Sequence, residues 1–198
     1  MMLEDYCVID LEMTGLNPKH HKILEVAAVR VRKKEIISEC SMLIHQHQPL
    51  EEKITELTGI DQEMLAGAKE EDEVLDHFFG FLGEDILVGQ NVIFDYSFLK
   101  QAAINRKMSF ERKAADTLKI ARRCLPALEK RTLDALCGYY GIEIGHHHRA
   151  LDDAKATYLL YERLEKEFGA VQADVFEPKP LIIKPSGRLR QQPDKKST

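Results

Sequence analysis

The sequence has no stretch of about 18 consecutive apolar residues, so it contains no candidate membrane-crossing helix. Its first residues, MMLEDYCVID, carry acids at positions 4 and 5 and no basic leader, so a soluble, unexported protein without membrane contact is expected. Cysteine is sparse and scattered. Cys7, Cys40, Cys124 and Cys137 form no C-x-x-C pair, which argues against a zinc site and against a disulfide framework. Reduced thiols in a cytoplasm are the expectation. Internal repeats are absent as well.

Positive charge is short over most of the chain. Residues 1–178 hold 22 Lys/Arg against 32 acids, whereas residues 179–198 hold six Lys/Arg and one acid. A net-acidic body does not suit a passive nucleic-acid coat, because binding phosphate takes positive charge. It leaves room for an acidic pocket that holds cations. Most of the acids, as in EEKITE and KEEDEV, read as solvated helix faces.

With 198 residues, 44% of them hydrophobic, the chain is long enough for one domain with a sizeable core. Val- and Ile-rich segments at 6–12, 23–32 and 36–44, joined by the turn TGLNP and the charged KKE, predict three strands in an antiparallel meander. ILVG at 86–89 reads as a short buried strand. Helices are predicted over 51–57, 72–83, 95–106, 116–124, 132–140 and 150–168. Strands first, then a strand between helices, indicate a mixed sheet flanked by helices. From 174 onward four prolines and no period indicate a tail, so the expected division is a domain over 1–172 and a basic, largely disordered tail over 173–198.

Within the first strand, VIDLEMTGL places Asp10 and Glu12 two residues apart. Side chains alternate along a strand, so both acids point to one face and their carboxylates lie close together. Like charges at the edge of a core are unfavourable unless something neutralises them, and no Lys or Arg occurs before Lys19. A bound divalent cation is the simplest remedy, and an exposed strand end is the plain alternative. Asp95 follows a buried strand and opens a helix, a place where capping alone explains an acid. Near it, Asn91, Phe94, Phe98 and Leu99 also suit ordinary packing. In HHHRALDDAKAT, His148 precedes a helix whose first turn carries Asp152 and Asp153, acids that complement the helix dipole.

Together these segments resemble the DEDD exonuclease superfamily, in the DEDDh subclass with a catalytic histidine, and within it the epsilon-type proofreading exonuclease domain of bacterial DNA polymerase III. The first motif is matched by Asp10, Glu12, Thr14, Gly15 and Leu16. The second is matched by Asn91, Phe94, Asp95, Phe98 and Leu99, and the third by His148, Asp153 and Ala154. The likeness runs from about residue 5 to 168 and includes ILEVAAV, LTGIDQEML and AADTLKIAR.

This resemblance implies a ribonuclease H-like α/β fold with a mixed five-stranded sheet flanked by helices. It implies a metal-dependent 3'-to-5' exonuclease that releases nucleoside 5'-monophosphates. Asp10, Glu12, Asp95 and Asp153 would hold two Mg²⁺ or Mn²⁺ ions about 3.5 to 4 Å apart, with Asp10 as the bridging ligand. His148 would take the proton from the attacking water. Thr14, Gly15, Leu16, Asn91 and Phe94 would line the pocket of the terminal nucleotide. His146 and His147 compete with His148 in type, and Asp152 competes with Asp153; the family spacing favours the second member of each comparison. His20 and His21 read as an exposed turn. Lys119, Arg122, Arg123, Lys130 and Arg131 are candidates to follow a strand backbone, with a solvated helix face as the alternative.

The implied substrate is a single-stranded or frayed DNA 3' end. DLEMTGL and HRALDD also resemble oligoribonuclease, so trimming of short RNA is the alternative. An inactive nucleic-acid-binding scaffold would lack at least one of the five acid and histidine positions, and all five are present. No polymerase motif occurs, so a replicative role does not follow, and the tail, with its hydrophobic PLII, is a candidate for docking a polymerase or another protein.

Overall fold

A computed structural model of the chain describes residues 3–145 and 149–183. The first strand, β1 (Tyr6–Met13), pairs antiparallel with β2 (Ile23–Arg32), which pairs antiparallel with β3 (Glu35–Leu43). This is the predicted meander. Lys33 and Lys34 turn the β2–β3 hairpin with positive φ, at 51° and 65°.

Short helices α1 (Glu52–Thr58) and α2 (Gln62–Ala66) and the longer α3 (Glu71–Leu82) follow. Then β4 (Leu87–Gly89) pairs in parallel with β1 and leads into α4 (Ile93–Asn105). The strand β5 (Lys113–Asp116) pairs in parallel with β4 and runs straight into α5 (Thr117–Cys124). Helices α6 (Leu133–Tyr140), α7 (Ala150–Phe168) and the single turn α8 (Ala173–Phe176) complete the helical layers, and β6 (Lys179–Pro180) closes the sheet. Among the described residues the sheet has six strands in the order β3-β2-β1-β4-β5-β6.

Two differences from the sequence reading share one cause. The sheet has six strands rather than five, and Phe176 and Leu181, placed in the tail by composition, are buried. The boundary at 172/173 falls inside the folded body. Prolines and charge made this stretch read as solvated, but β6 is an edge strand that pairs at Pro180 and Lys179 only, a place where proline is tolerated. Residues 184–198 lie outside the described residues.

Each face of the sheet carries its own core. On one side Cys7, Ile9 and Leu11 of β1 pack with Val74, Leu75, Phe78 and Leu82 of α3 and with Tyr96 and Leu99 of α4. On the other, Tyr6 and Val8 pack with Ala154, Leu160, Tyr161 and Leu164 of α7. The period of two in β1 thus sends Asp10 and Glu12 to the α7 side. None of the described helices is long and apolar enough to cross a membrane.

Candidate active site

The carboxyl ends of the parallel strands β1, β4 and β5 converge on one rim of the sheet, where α/β folds commonly bind ligand. Asp10 and Glu12 sit at the end of β1, and the pairing with β2 slips between Glu12 and Met13, so regular sheet stops just after the second acid. Beyond β4, Gly89 lets the chain turn tightly over β1: a Cβ there would lie 2.8 Å from the Val92 side chain and 3.3 Å from the Ile9 carbonyl oxygen. Asn91 completes the turn with φ of 58°, and α4 then carries Asp95 in its first turn.

The turn delivers Asp95 to β1. Its Oδ1 accepts the Leu11 amide at 3.1 Å, from the residue between the two strand acids. The first turn of α7 delivers Asp153, and one carboxylate oxygen from each of Asp10, Glu12 and Asp153 lies within 4.8 Å of the others. The carboxyl of Asp152 lies instead beside Gly145, where a Cβ would approach it to 3.0 Å. Neighbouring residues of a helix point about 100° apart, and this separates two acids that look alike in sequence.

Crowding leaves a clear electrostatic signature. Burial pushes the Asp10 carboxyl well above the usual carboxylate range, and Asp95, Asp153 and Glu12 push the same way. Glu12 is pushed up to about 8, first by burial and then by Asp153 and Glu25, with Arg149 opposing. Asp95 is pushed up to about 7 by burial, against the pull of backbone hydrogen bonds that include the Leu11 amide. Two things relieve such a cluster, protons or cations. The donors are all carboxylate oxygens, a set that suits hard divalent ions.

An exonuclease family model matches residues 7–161 of this sequence. The chain belongs to the exonuclease family. The PolC-type DNA polymerase III of Halalkalibacterium halodurans is 38% identical over 174 residues, which cover 86% of this chain and 12% of the polymerase. The chain therefore spans about an eighth of the length of that relative. Among solved structures, Exonuclease X in complex with 5' overhanging duplex DNA is 26% identical at a TM-score of 0.69, covering 87% of this chain and 99% of that one. The fold is shared also with the nuclease domain of a DEDDh family member bound to rAMP, at 21% identity and a TM-score of 0.69, covering 83% and 92% of the two chains.

The chain thus carries an exonuclease-family domain built on a mixed sheet flanked by helices. Asp10, Glu12 and Asp153 form an acidic cluster able to hold a metal ion. His148, with His146 and His147, lies outside the described residues.

The remaining sequence candidates separate into surface and core. Leu16 is 61% exposed, so its apolar side chain is not a core residue and is presented to solvent in the loop after β1. Gly15 lies under the His21 ring, which a Cβ would meet at 2.3 Å. Thr14 ties the two ends of this loop together: its Oγ1 accepts the Lys22 amide at 2.9 Å, and its own amide donates to the Lys22 carbonyl at the same distance. Asn91 is exposed and Phe94 half-buried against Phe98, whereas Phe98 and Leu99 are buried packing residues. In the basic stretch Arg131 donates to the carbonyls of Leu125 and Pro126, and Arg123 pairs with Asp174, while Arg122 and Lys130 are exposed.

Two acids escaped the sequence reading. Glu25 of β2 is fully buried and sits opposite Glu12 in the β1–β2 register. It accepts Arg149 Nε at 3.1 Å and Arg149 NH2 at 3.0 Å, the Ala150 amide at 3.2 Å and Ser41 Oγ at 3.0 Å. It therefore anchors the start of α7, the helix that carries Asp153. The signal was a lone acid inside the apolar run ILEVAAV. Asp116, at the end of β5, accepts the amides of Leu118 and Lys119 as the cap of α5 and that of Asn91 at 3.1 Å. It braces the turn that positions Asp95.

Proposed function

We propose that the protein trims DNA from the 3' end, one nucleoside 5'-monophosphate at a time, with the reaction centred on Asp10, Glu12, Asp95 and Asp153. The observation that carries this reading is the meeting of Asp10, Glu12 and Asp153 within 4.8 Å, with Asp95 locked onto the backbone between the first two. Mutually repelling, partly buried carboxylates are a poor structural device and a good cation cage.

Those four carboxylates would hold a pair of Mg²⁺ or Mn²⁺ ions. Bound there, the ions supply Lewis acidity and neutralise charge building up at phosphorus. The chain's own groups do the rest. His148 accepts the proton of the attacking water, a task suited to imidazole near neutral pH. Glu25 and Arg149 fix the start of α7 and so the position of Asp153. Leu16, exposed at the loop after β1, packs on the terminal base, with Thr14, Gly15, Asn91 and Phe94 around the same nucleotide.

DNA is favoured because the sequence relative is a DNA polymerase and Exonuclease X was solved with duplex DNA. The cytoplasm is the expected compartment, and the basic segment from 184 onward is the expected tether for a polymerase or other partner.

The test is mononucleotide release from 3'-labelled single-stranded DNA, a 3'-mismatched duplex and a five-nucleotide RNA, with Mg²⁺ or Mn²⁺, by wild type and Asp10→Ala. Release of dNMP that is lost in the variant supports the proposal. Preference for the short RNA moves the protein to oligoribonucleotide trimming, and no metal-dependent release from any substrate overturns the reading.

A further inference from the structure

A second group of metal-type donors lies apart from the carboxylate cluster and differs from it in chemistry. His45 and His47 follow β3, and Glu70 stands immediately before α3; one donor atom from each lies within 4.8 Å of the other two. Backbone bonds hold these segments together. Ile44 bridges in parallel to Lys69, the His45 amide donates to the Lys69 carbonyl at 2.8 Å, and the Ile44 amide donates to Leu24 at 2.8 Å. Between the two histidines, Gln46 Nε2 donates to the carbonyls of Ile23 and Ile44 at 3.0 and 3.1 Å. With Gln46 pinned, its two neighbours come together, their rings 4.8 Å apart and edge to face.

The hydrogen bonds assign the ring of His45. Its Nδ1 lies 2.9 Å from the Leu65 carbonyl oxygen, which can only accept, so Nδ1 carries the proton and Nε2 keeps the lone pair of the neutral ring. An Nδ1–H bound to a backbone carbonyl is the arrangement that orients histidine ligands in metal sites. Glu70 makes no side-chain cap bond to α3; its Oε2 lies 3.0 Å from His47 Nε2. The adjacent cation, Lys69, pairs with Glu73. His47 and Glu70 side chains are 74% and 62% exposed, so water has access to any remaining coordination positions. An exposed His–Glu ion pair alone contributes little and gives no reason for His45 to join it.

We propose that His45, His47 and Glu70 form a second cation site that takes a borderline transition ion such as Zn²⁺. Two imidazoles and one carboxylate are a donor set for zinc, whereas the oxygen-only centre at Asp10 suits Mg²⁺ or Mn²⁺. One ion there ties the end of β3 to the start of α3. The inference does not depend on the proposed nuclease reaction.

The test is calorimetric titration of the full chain with Zn²⁺ in saturating Mg²⁺, repeated with Co²⁺ and read by its visible absorption. Wild type is compared with His47→Ala, Glu70→Gln and, as an exposed-imidazole control, His20→Ala. The proposal expects one equivalent of Zn²⁺ to weaken by more than about tenfold in both His47→Ala and Glu70→Gln, with His20→Ala unchanged. Identical Zn²⁺ stoichiometry and affinity in all four proteins overturns it, as does an equal loss in His20→Ala. Because the altered side chains at 47 and 70 are largely exposed, folding does not confound the comparison.

Discussion

Glu12 and Glu25 face each other across the β1–β2 ladder, yet they live in opposite surroundings. Glu25 is fully buried and answered on every side by Arg149, Ser41 and the Ala150 amide. Glu12 is half-buried among Asp10, Asp153 and Asp95, and its carboxyl is pushed up to about 8. One acid is part of the framework; the other is held in an unfavourable place by that framework. The difference shows how a fold sets charge aside for a ligand: it satisfies the acids it needs for architecture and leaves others crowded together.

Changing the crowded side should cost activity and spare the fold. Asp10→Ala or Asp153→Asn is expected to lower nucleotide release by about 10²–10³-fold, while the melting temperature of metal-free protein rises because like charges are removed. A lower melting temperature in both variants would erase the contrast. Changing the framework side should cost the fold directly, and activity only through a displaced Asp153. Glu25→Gln strands Arg149 and weakens the anchor of α7, costing about 2 kcal/mol once the partial exposure of Arg149 is allowed for, or roughly 4–8 °C in melting temperature.

The pH dependence of metal-free protein sharpens the comparison further. Folded Glu12 and Asp95 bind protons more tightly than they do unfolded, so between about pH 4.5 and about 8 the folded state carries more protons. Stability should then fall as pH rises through that window, and saturating Mg²⁺ should flatten the slope by taking the place of the protons. Thermal melts at several pH values, with EDTA or Mg²⁺, read both effects; a slope unaltered by Mg²⁺ would separate the cluster from cation binding. The smallest change belongs to neither group of acids. Leu16→Ala should leave stability within about 0.5 kcal/mol, since the side chain is exposed, yet raise KM for single-stranded DNA.

Much of this contrast was legible before folding, and the illegible part has identifiable reasons. The strand β1, its alternation and the shared face of Asp10 and Glu12 follow from local pattern, as do α7 and its bounds at 150 and 168. The strand β5 was missed because four residues, KAAD, carry neither a period nor β-branched side chains; it exists because β4 offers it a parallel edge. In QEMLA, the five-residue helix α2 is too short for a periodic signal. The tail boundary was misplaced because an edge strand and a buried Phe176 depend on contacts with distant residues.

By itself the sequence determined the alternation of β1, the meander, the flanking helices and the residue types that favour hard cations, because these rest on local propensity and short spacing. Only the tertiary structure decided that Asp153 comes within 4.8 Å of both strand acids, that Asp95 is locked to the Leu11 amide, and that Glu25 is spent on Arg149. The physical reason is range: each of these choices is made between groups more than 80 residues apart in the chain, where burial and Coulomb energy depend on packing that no local pattern encodes.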